Sequence, residues 1–228
     1  MLPPLFTVAV AQSDADACNF FLLTMKFTGP KAKRVRRQGA NIYGSDKYDR
    51  ILQRKPYGPG KGPRTRGSKQ SEYAQQLQEK QKVRDTFNVS ERQFRRYYKE
   101  AQRRKEATGS TILSLLEVRL DNTLFRAGLA LTRLQARQLA GHGLFLVNGR
   151  RCSVASRTVK PGDGIEIRPR SSSSPVFATI LAATEKYVPP AWLKVDTSKL
   201  KIEVLSSPTE EHLEQGLDIQ KVVELYSR

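Results

Sequence analysis

The sequence predicts an α+β protein with a basic extended N-terminal arm, a helical domain, and a small domain of short helices on a small twisted sheet. Three observations lead there. Between Ser71 and Gly143 apolar residues recur at helical spacing, with capping signals ahead of the apolar runs. From Leu144 to Arg170 the period changes to alternation, interrupted by Asn148-Gly149 and by Pro161-Gly162-Asp163. Ahead of both, residues 31–67 are crowded with basic and turn-forming residues and have almost no apolar periodicity.

That first stretch contains KAKRVRRQG and RKPYGPGKGPRTRG, and it is expected to be irregular and ordered mainly by a partner. The bland reading of such a charge run is a solvated linker. Next, SEYAQQLQEKQKVRDTF places Tyr73, Leu77 and Val83 on an amphipathic helix opening near Ser71. A second helix is expected from Ser90, where Ser90 and Gln93 have capping-box spacing. It carries Phe94, Tyr97 and Tyr98 on one side and a dense basic surface on the other, with Gly109 as its stop.

Ser110 is the expected cap of a third helix, TILSLLEVRLDNTLFRAG, in which Ile112, Leu115, Leu116, Leu120, Leu124 and Phe125 form an apolar stripe ending at Gly128. Thr132 and Gln135 repeat the capping spacing ahead of RLQARQLAGHG. There Arg133 and Arg137 lie one turn apart on one face, while Leu134 and Leu139 turn inward. Three short strands follow, with Asn148-Gly149 as a hairpin turn.

Charge narrows the partner. The chain of 228 residues carries 40 Lys+Arg against 22 Asp+Glu, a net charge of +18, which favours a polyanion. Residues 31–110 hold net +15 and residues 111–170 net +6, whereas residues 171–228 are net −2 and residues 1–30 net −1. A basic footprint over 31–170 beside an acidic tail is the distribution of a nucleic-acid binder. Cys18 and Cys152 are too few and too distant for a disulfide framework or a four-ligand zinc site, so no cofactor and no metal are expected. No apolar run approaches the roughly 20 residues that span a bilayer, so no membrane partner is expected.

RLDNTLFRAGLALTRLQARQLAGHGLFLVNGRRC followed by PGDGIEIR resembles the S-four RNA-binding domain. SEYAQQLQEKQKVRDTFNVSERQFRRYYKEA, PYGPGKG, AWLKVD and the terminal VVELYSR resemble the rest of the bacterial-type small-subunit ribosomal protein four family, from about Met25 to Arg228. The resemblance implies a primary binder of a junction in the 5′ domain of small-subunit ribosomal RNA that nucleates assembly there. It also implies neighbouring small-subunit proteins, a seat by the mRNA where it enters the subunit, and an influence on translational accuracy. A cytoplasmic bacterial ribosome is the implied location, with an organellar ribosome as the alternative. Many family members carry a zinc-binding cysteine cluster in the arm; KAKRVRRQGANIYGSDKYDRILQRKP has no such ligands and is similar to the zinc-free form.

The expected organisation is an extension over 1–24, the arm over 25–67, the helical domain over 68–116, the S-four domain over 117–175, and a C-terminal segment over 176–228 that packs back on the helical part. Met25, where MKFTGPK begins, is the expected functional start, because the preceding residues are compositionally foreign. The candidate RNA contacts in the arm are Lys31, Lys33, Arg34, Arg36, Arg37, Lys61, Arg64 and Arg66. Those on the helices are Lys80, Lys82, Arg84, Arg92, Arg95, Arg96, Arg119, Arg133 and Arg137, and those on the helix end and hairpin are His142, Asn148, Arg150 and Arg151. The resemblance marks Arg133, Arg137 and His142 as an RNA-facing helix, where arginine forks suit phosphate oxygens. The bland reading is a solvated helix face, and for His142 a helix end.

An enzyme is not expected. Glu117 and Asp121 stand four apart beside Arg119 and Arg126, which suggests ion pairs rather than acid/base chemistry. Neither histidine has an evident nucleophile, and Cys152 reads as a small buried residue. Tyr97 and Tyr98 are read as core aromatics rather than stacking platforms. The rivals are an RNA-modifying enzyme, which would need a motif-bearing catalytic domain, and a free-standing stress or quality-control RNA binder. A homo-oligomer is not expected.

Overall fold

The computed structural model describes residues 29–60, 62, 70–172, 174–184, 187–196, 200–214 and 216–227. The expectations for Met25, for the extension over 1–24, and for Lys61, Arg64 and Arg66 fall outside them. The described elements run α1 (Lys31–Gln38), α2 (Asp46–Arg54), α3 (Glu72–Thr86), α4 (Glu91–Arg103), α5 (Thr108–Glu117), α6 (Leu120–Arg126), α7 (Arg133–Gly141), β1 (Phe145–Val147), β2 (Arg150–Cys152), β3 (Gly164–Ile167), α8 (Pro169–Ser172), α9 (Pro175–Thr184), β4 (Leu193–Asp196), β5 (Lys201–Val204) and α10 (Ile219–Ser227). The class is α+β. None of these helices is long and apolar enough to cross a membrane.

Three helices open as their caps dictate. Ser71 accepts from Ala74 N, Ser90 from Gln93 N, and Thr132 from Gln135 N, each satisfying an amide that the first turn leaves orphaned. The hairpin turn also follows local chemistry. Asn148 at φ 52 and Gly149 at φ 74 are both left-handed, as a type I′ turn between β1 and β2 requires.

The arm departs from its expected extended form. Residues 31–54 build α1 and α2, which pack Val35, Ile42, Tyr43 and Tyr48 into a small core of their own. The sequence signal is faint because only a few apolar residues among many cations suffice for two short helices. The expected single helix from Ser110 to Gly128 is two, broken between Glu117 and Leu120. Tertiary hydrogen bonding breaks it: Val159 N donates to Val118 O and Leu120 N to Arg157 O, both at 2.8 Å, and Arg119 takes extended backbone to bridge Thr158. Ser110 is no cap either, since α5 begins at Thr108 and Ser110 Oγ donates to Ala107 O. Gly109 lies inside that first turn rather than ending α4. A Cβ there would stand 2.9 Å from Ile219 Cγ2, so the missing side chain is what lets α10 approach α5.

Among the described residues five antiparallel strands in the order β2-β1-β3-β5-β4 form one sheet, three from the expected segment and two from beyond it. Its core joins Leu120, Leu124, Ala136, Leu139, Phe145, Ile165, Phe177, Trp192 and Ile202. A second core gathers Val83, Phe94, Tyr98, Ile112 and Leu116 with Leu213 and Val222. The described chain after residue 175 is therefore divided: Phe177, Ile180, Trp192, Leu193, Ile202 and Val204 complete the sheet core, and Leu213 and Val222 pack on the helices.

Candidate nucleic-acid interface

The α4 helix presents the most coherent cationic surface. It buries Phe94, Tyr98 and Ala101 and exposes Arg92, Arg95, Arg96, Lys99 and Arg103, whose spacing places them along one side. Among the described residues none of the five is ion-paired; the nearby pair is Arg104 with Glu100 at 3.1 Å. Lys99 and Arg103 escaped the sequence reading, although the same three-to-four periodicity that singled out Arg92, Arg95 and Arg96 reaches them.

Around the N-terminal core, Lys33 and Arg37 of α1 are exposed. Lys31 lies over the Tyr43 ring at 5.5 Å, Arg36 donates to Tyr57 O at 3.0 Å and Gly58 O at 3.2 Å, and Arg34 pairs with Asp85 of α3. Burial pushes the Asp85 carboxyl up from its ordinary range, although Arg34 and Arg84 pull the other way. Lys47, Arg50 and Arg54 of α2 are also exposed and were missed. Their signal, a basic residue every three or four positions in DKYDRILQR, has meaning only on a helix, and α2 supplies it.

On α3 the candidates are engaged inside the protein. Lys80 and Arg84 pair with Glu91 at 3.0 and 3.1 Å, and Lys82 donates to Gly216 O at 2.6 Å. Arg84 is 7% exposed and Arg119 only 1%, which corrects their expected place on an RNA-facing surface. The Arg119 guanidinium forks onto Asp121 at 3.0 and 2.7 Å and reaches Tyr97 Oη at 2.7 Å. Burial disfavours its charge, but those bonds hold its pKa above the ordinary arginine value.

The two arginines of α7 are not on a solvated face. Arg133 donates to Asn122 Oδ1 at 2.7 Å, pairs with Glu214, and lies over the rings of Phe125 at 4.6 Å and Phe87 at 5.1 Å. Arg137 donates to Asn88 O at 2.6 Å and faces Asp121 at 3.8 Å; burial lowers its pKa and Asp121 partly offsets that. Local spacing does not show these partners, which come from distant chain, 49 residues away for Asn88 and 81 for Glu214. Leu134 and Leu139 also part company, Leu134 against the N-terminal core and Leu139 in the sheet core.

At the hairpin, His142, Arg150 and Arg151 are exposed, and Arg151 Nη2 donates to His142 O at 3.4 Å. Asn148 is also exposed and acts as a clasp. Its Nδ2 donates to Asp163 Oδ1 at 2.7 Å and its Oδ1 accepts from Gly164 N at 2.8 Å, tying the two turns together. Partial burial would raise the Asp163 pKa, but the Lys160 amide at 2.9 Å and the Asn148 amide hold it below the ordinary carboxylate range.

The described residues contain no cluster of three His, Cys, Asp or Glu able to hold a metal ion, and Cys152 is a buried free thiol. Of the candidate contacts, Lys33, Arg37, Arg92, Arg95, Arg96, Arg150 and Arg151 remain exposed, set on helices and a hairpin whose other faces are packed.

The sequence profile of the Ribosomal protein S4/S9 N-terminal domain matches residues 26–117, and that of the S4 domain matches residues 118–165. A protein named small ribosomal subunit protein uS4 in Solidesulfovibrio magneticus is 44% identical over 207 residues, covering 89% of this chain and 99% of the relative. The chain belongs to the uS4 family. The like-named protein of Cutibacterium acnes is 44% identical over 203 residues, with the same coverage, and that of Treponema denticola is 43% identical over 206 residues. The boundary between the two profiles, after Glu117, falls where this uS4-family chain breaks α5 from α6.

Proposed function

We propose that this chain is a structural, non-catalytic constituent of the small ribosomal subunit, that it binds the 5′ domain of small-subunit ribosomal RNA, and that it nucleates assembly there. The observation carrying this reading is the α4 face, five exposed cations without an acidic partner among the described residues, on a helix whose opposite face is core. Cations at that spacing suit a phosphate backbone, which gives affinity and orientation rather than base specificity. The exposed cations of α1, α2 and the hairpin extend the surface. Like-named relatives over nearly the whole chain support the ribosomal setting, and their bacterial sources support a cytoplasmic ribosome. Contact with neighbouring subunit proteins, a place beside mRNA where it enters, an influence on accuracy and a monomeric free state belong to the same proposal.

Equilibrium binding to a 5′-domain transcript, with footprinting and a salt titration, tests it. The expected result is a discrete footprint and an affinity that falls steeply with salt through counterion release. A protein that fails to protect the transcript, or that does not sediment stoichiometrically with the small subunit in cells, overturns the reading in favour of a free-standing RNA binder.

A further inference from the structure

Helix α7 touches all three cores. Ala136 and Leu139 lie in the sheet core, Leu134 packs against the N-terminal core, and Arg133 and Arg137 reach the loop after α3, over Phe87 and onto Asn88 O. That loop leads directly into Ser90, the cap of α4, and α7 leads directly into His142 and the β1–β2 hairpin. The clamp thus lies between two cationic surfaces: Arg92 follows the clamped loop by one short step, and His142 follows Arg137 by little more than one turn. Asn88 holds left-handed backbone at φ 50, so its carbonyl orientation is special to this loop.

We infer that Arg133 and Arg137 are positioning residues, which fix the α4 stripe and the His142/Arg150/Arg151 surface in one relative orientation so that a single rigid RNA engages both. The inference rests on the RNA-binding reading above. Its physical basis is effective concentration: once one surface is seated, a rigid connection presents the second at high local concentration, and a loosened connection does not. A guanidinium suits the task because its flat face stacks on aromatic rings while its edge donates several hydrogen bonds in fixed directions. It also separates two roles that look alike in a binding assay, since an arginine on a phosphate adds to the salt slope directly, whereas an arginine facing Asn88 O does not.

The test compares two RNAs with the full chain carrying Arg137→Met, and with Arg133→Lys as a second variant that keeps the charge but loses the flat stacking face. One RNA is the 5′-domain transcript; the other is a short duplex of about five base pairs closed by a loop, chosen to seat on one surface at a time. The expected result is a loss of about tenfold or more on the transcript and no change in affinity or salt slope on the short duplex. Spin labels at Gln102 and Ser153, in a background with Cys18 and Cys152 replaced by serine, should show a broadened distance distribution in the variants.

A loss on the short duplex with a slope reduced by about one shows direct phosphate contact and overturns the inference. Unchanged binding to both RNAs, or an equal loss on both from general unfolding, overturns it as well. If the unaltered protein binds neither RNA, or ignores Arg95→Glu, the RNA reading itself fails, an outcome distinct from all of these.

Discussion

The Arg119 guanidinium donates to the Tyr97 hydroxyl at 2.7 Å, joining the start of α6 to α4 through a side chain only 1% exposed. With its fork on Asp121, this arginine is a buried charge pair at the junction of two cores. Arg119→Met should therefore cost about 3 kcal/mol in urea unfolding, because buried Asp121 would lose both bonds of the fork and keep only the more distant Arg137, 3.8 Å away. Tyr97→Phe removes one hydrogen bond and should cost about 1–2 kcal/mol. Equal, negligible effects of both would show that Arg119 is not held there in solution.

Charge reversal on α4 should separate binding from folding. Arg95→Glu and Arg96→Glu, both exposed, should leave stability within about 0.5 kcal/mol. Each lost phosphate contact should lower the salt slope of transcript binding by about one. An unchanged slope with both arginines reversed would move the interface away from this helix.

Gly109→Ala tests the approach of α10. The new methyl would meet Ile219 Cγ2 at 2.9 Å, and a β-branched side chain in a helix has little rotamer freedom with which to move aside. A net destabilisation of about 1–2 kcal/mol is expected despite alanine's better helix propensity. In the Ile219→Ala background the same substitution should become neutral or stabilising; a cycle with no coupling would exclude the contact.

Acid should loosen the C-terminal helix through Glu91. Burial alone would raise its pKa, but the Tyr226 hydroxyl at 2.7 Å, Lys80 and Arg84 hold it below the ordinary 4.5. A depressed folded-state pKa means a contribution present above the unfolded value and lost as pH falls through the folded one. Glu91→Gln should lower stability at neutral pH and flatten the decline below about pH 4.5, which thermal melts from pH 3 to 7 would reveal. A parallel offset at every pH would assign the effect to packing instead.

Chelation offers the simplest check. Without a ligand cluster among the described residues, EDTA should leave both the melting temperature and transcript binding unchanged. About one zinc per purified chain would contradict this.

Much of the fold was legible because its signals are local. Ser71, Ser90 and Thr132 cap the helices they precede, and Asn148-Gly149 turns the hairpin it suggests. The misreadings share one cause. The stripe from Ile112 to Phe125 is helical on both sides of Val118, and only hydrogen bonds to residues 155–159 break it. The α1–α2 core was hidden because four buried side chains can hold two short helices whose remaining residues read as a charge run. Of the candidate contacts, Arg92, Arg95, Arg96, Arg150 and Arg151 are exposed as spacing suggested, while Arg84 and Arg119 are not.

By itself the sequence determined the α+β class, the caps at Ser71, Ser90 and Thr132, the hairpin and the basic footprint over 31–170, because each depends on residues within a few positions of one another or on composition alone. Only the tertiary structure decided what each arginine faces. A guanidinium fork fits the paired oxygens of a phosphate or a carboxylate and can also donate to a single backbone carbonyl. Which of them it meets depends on groups that folding delivers from far along the chain, as Glu214 is delivered to Arg133 and Asn88 to Arg137.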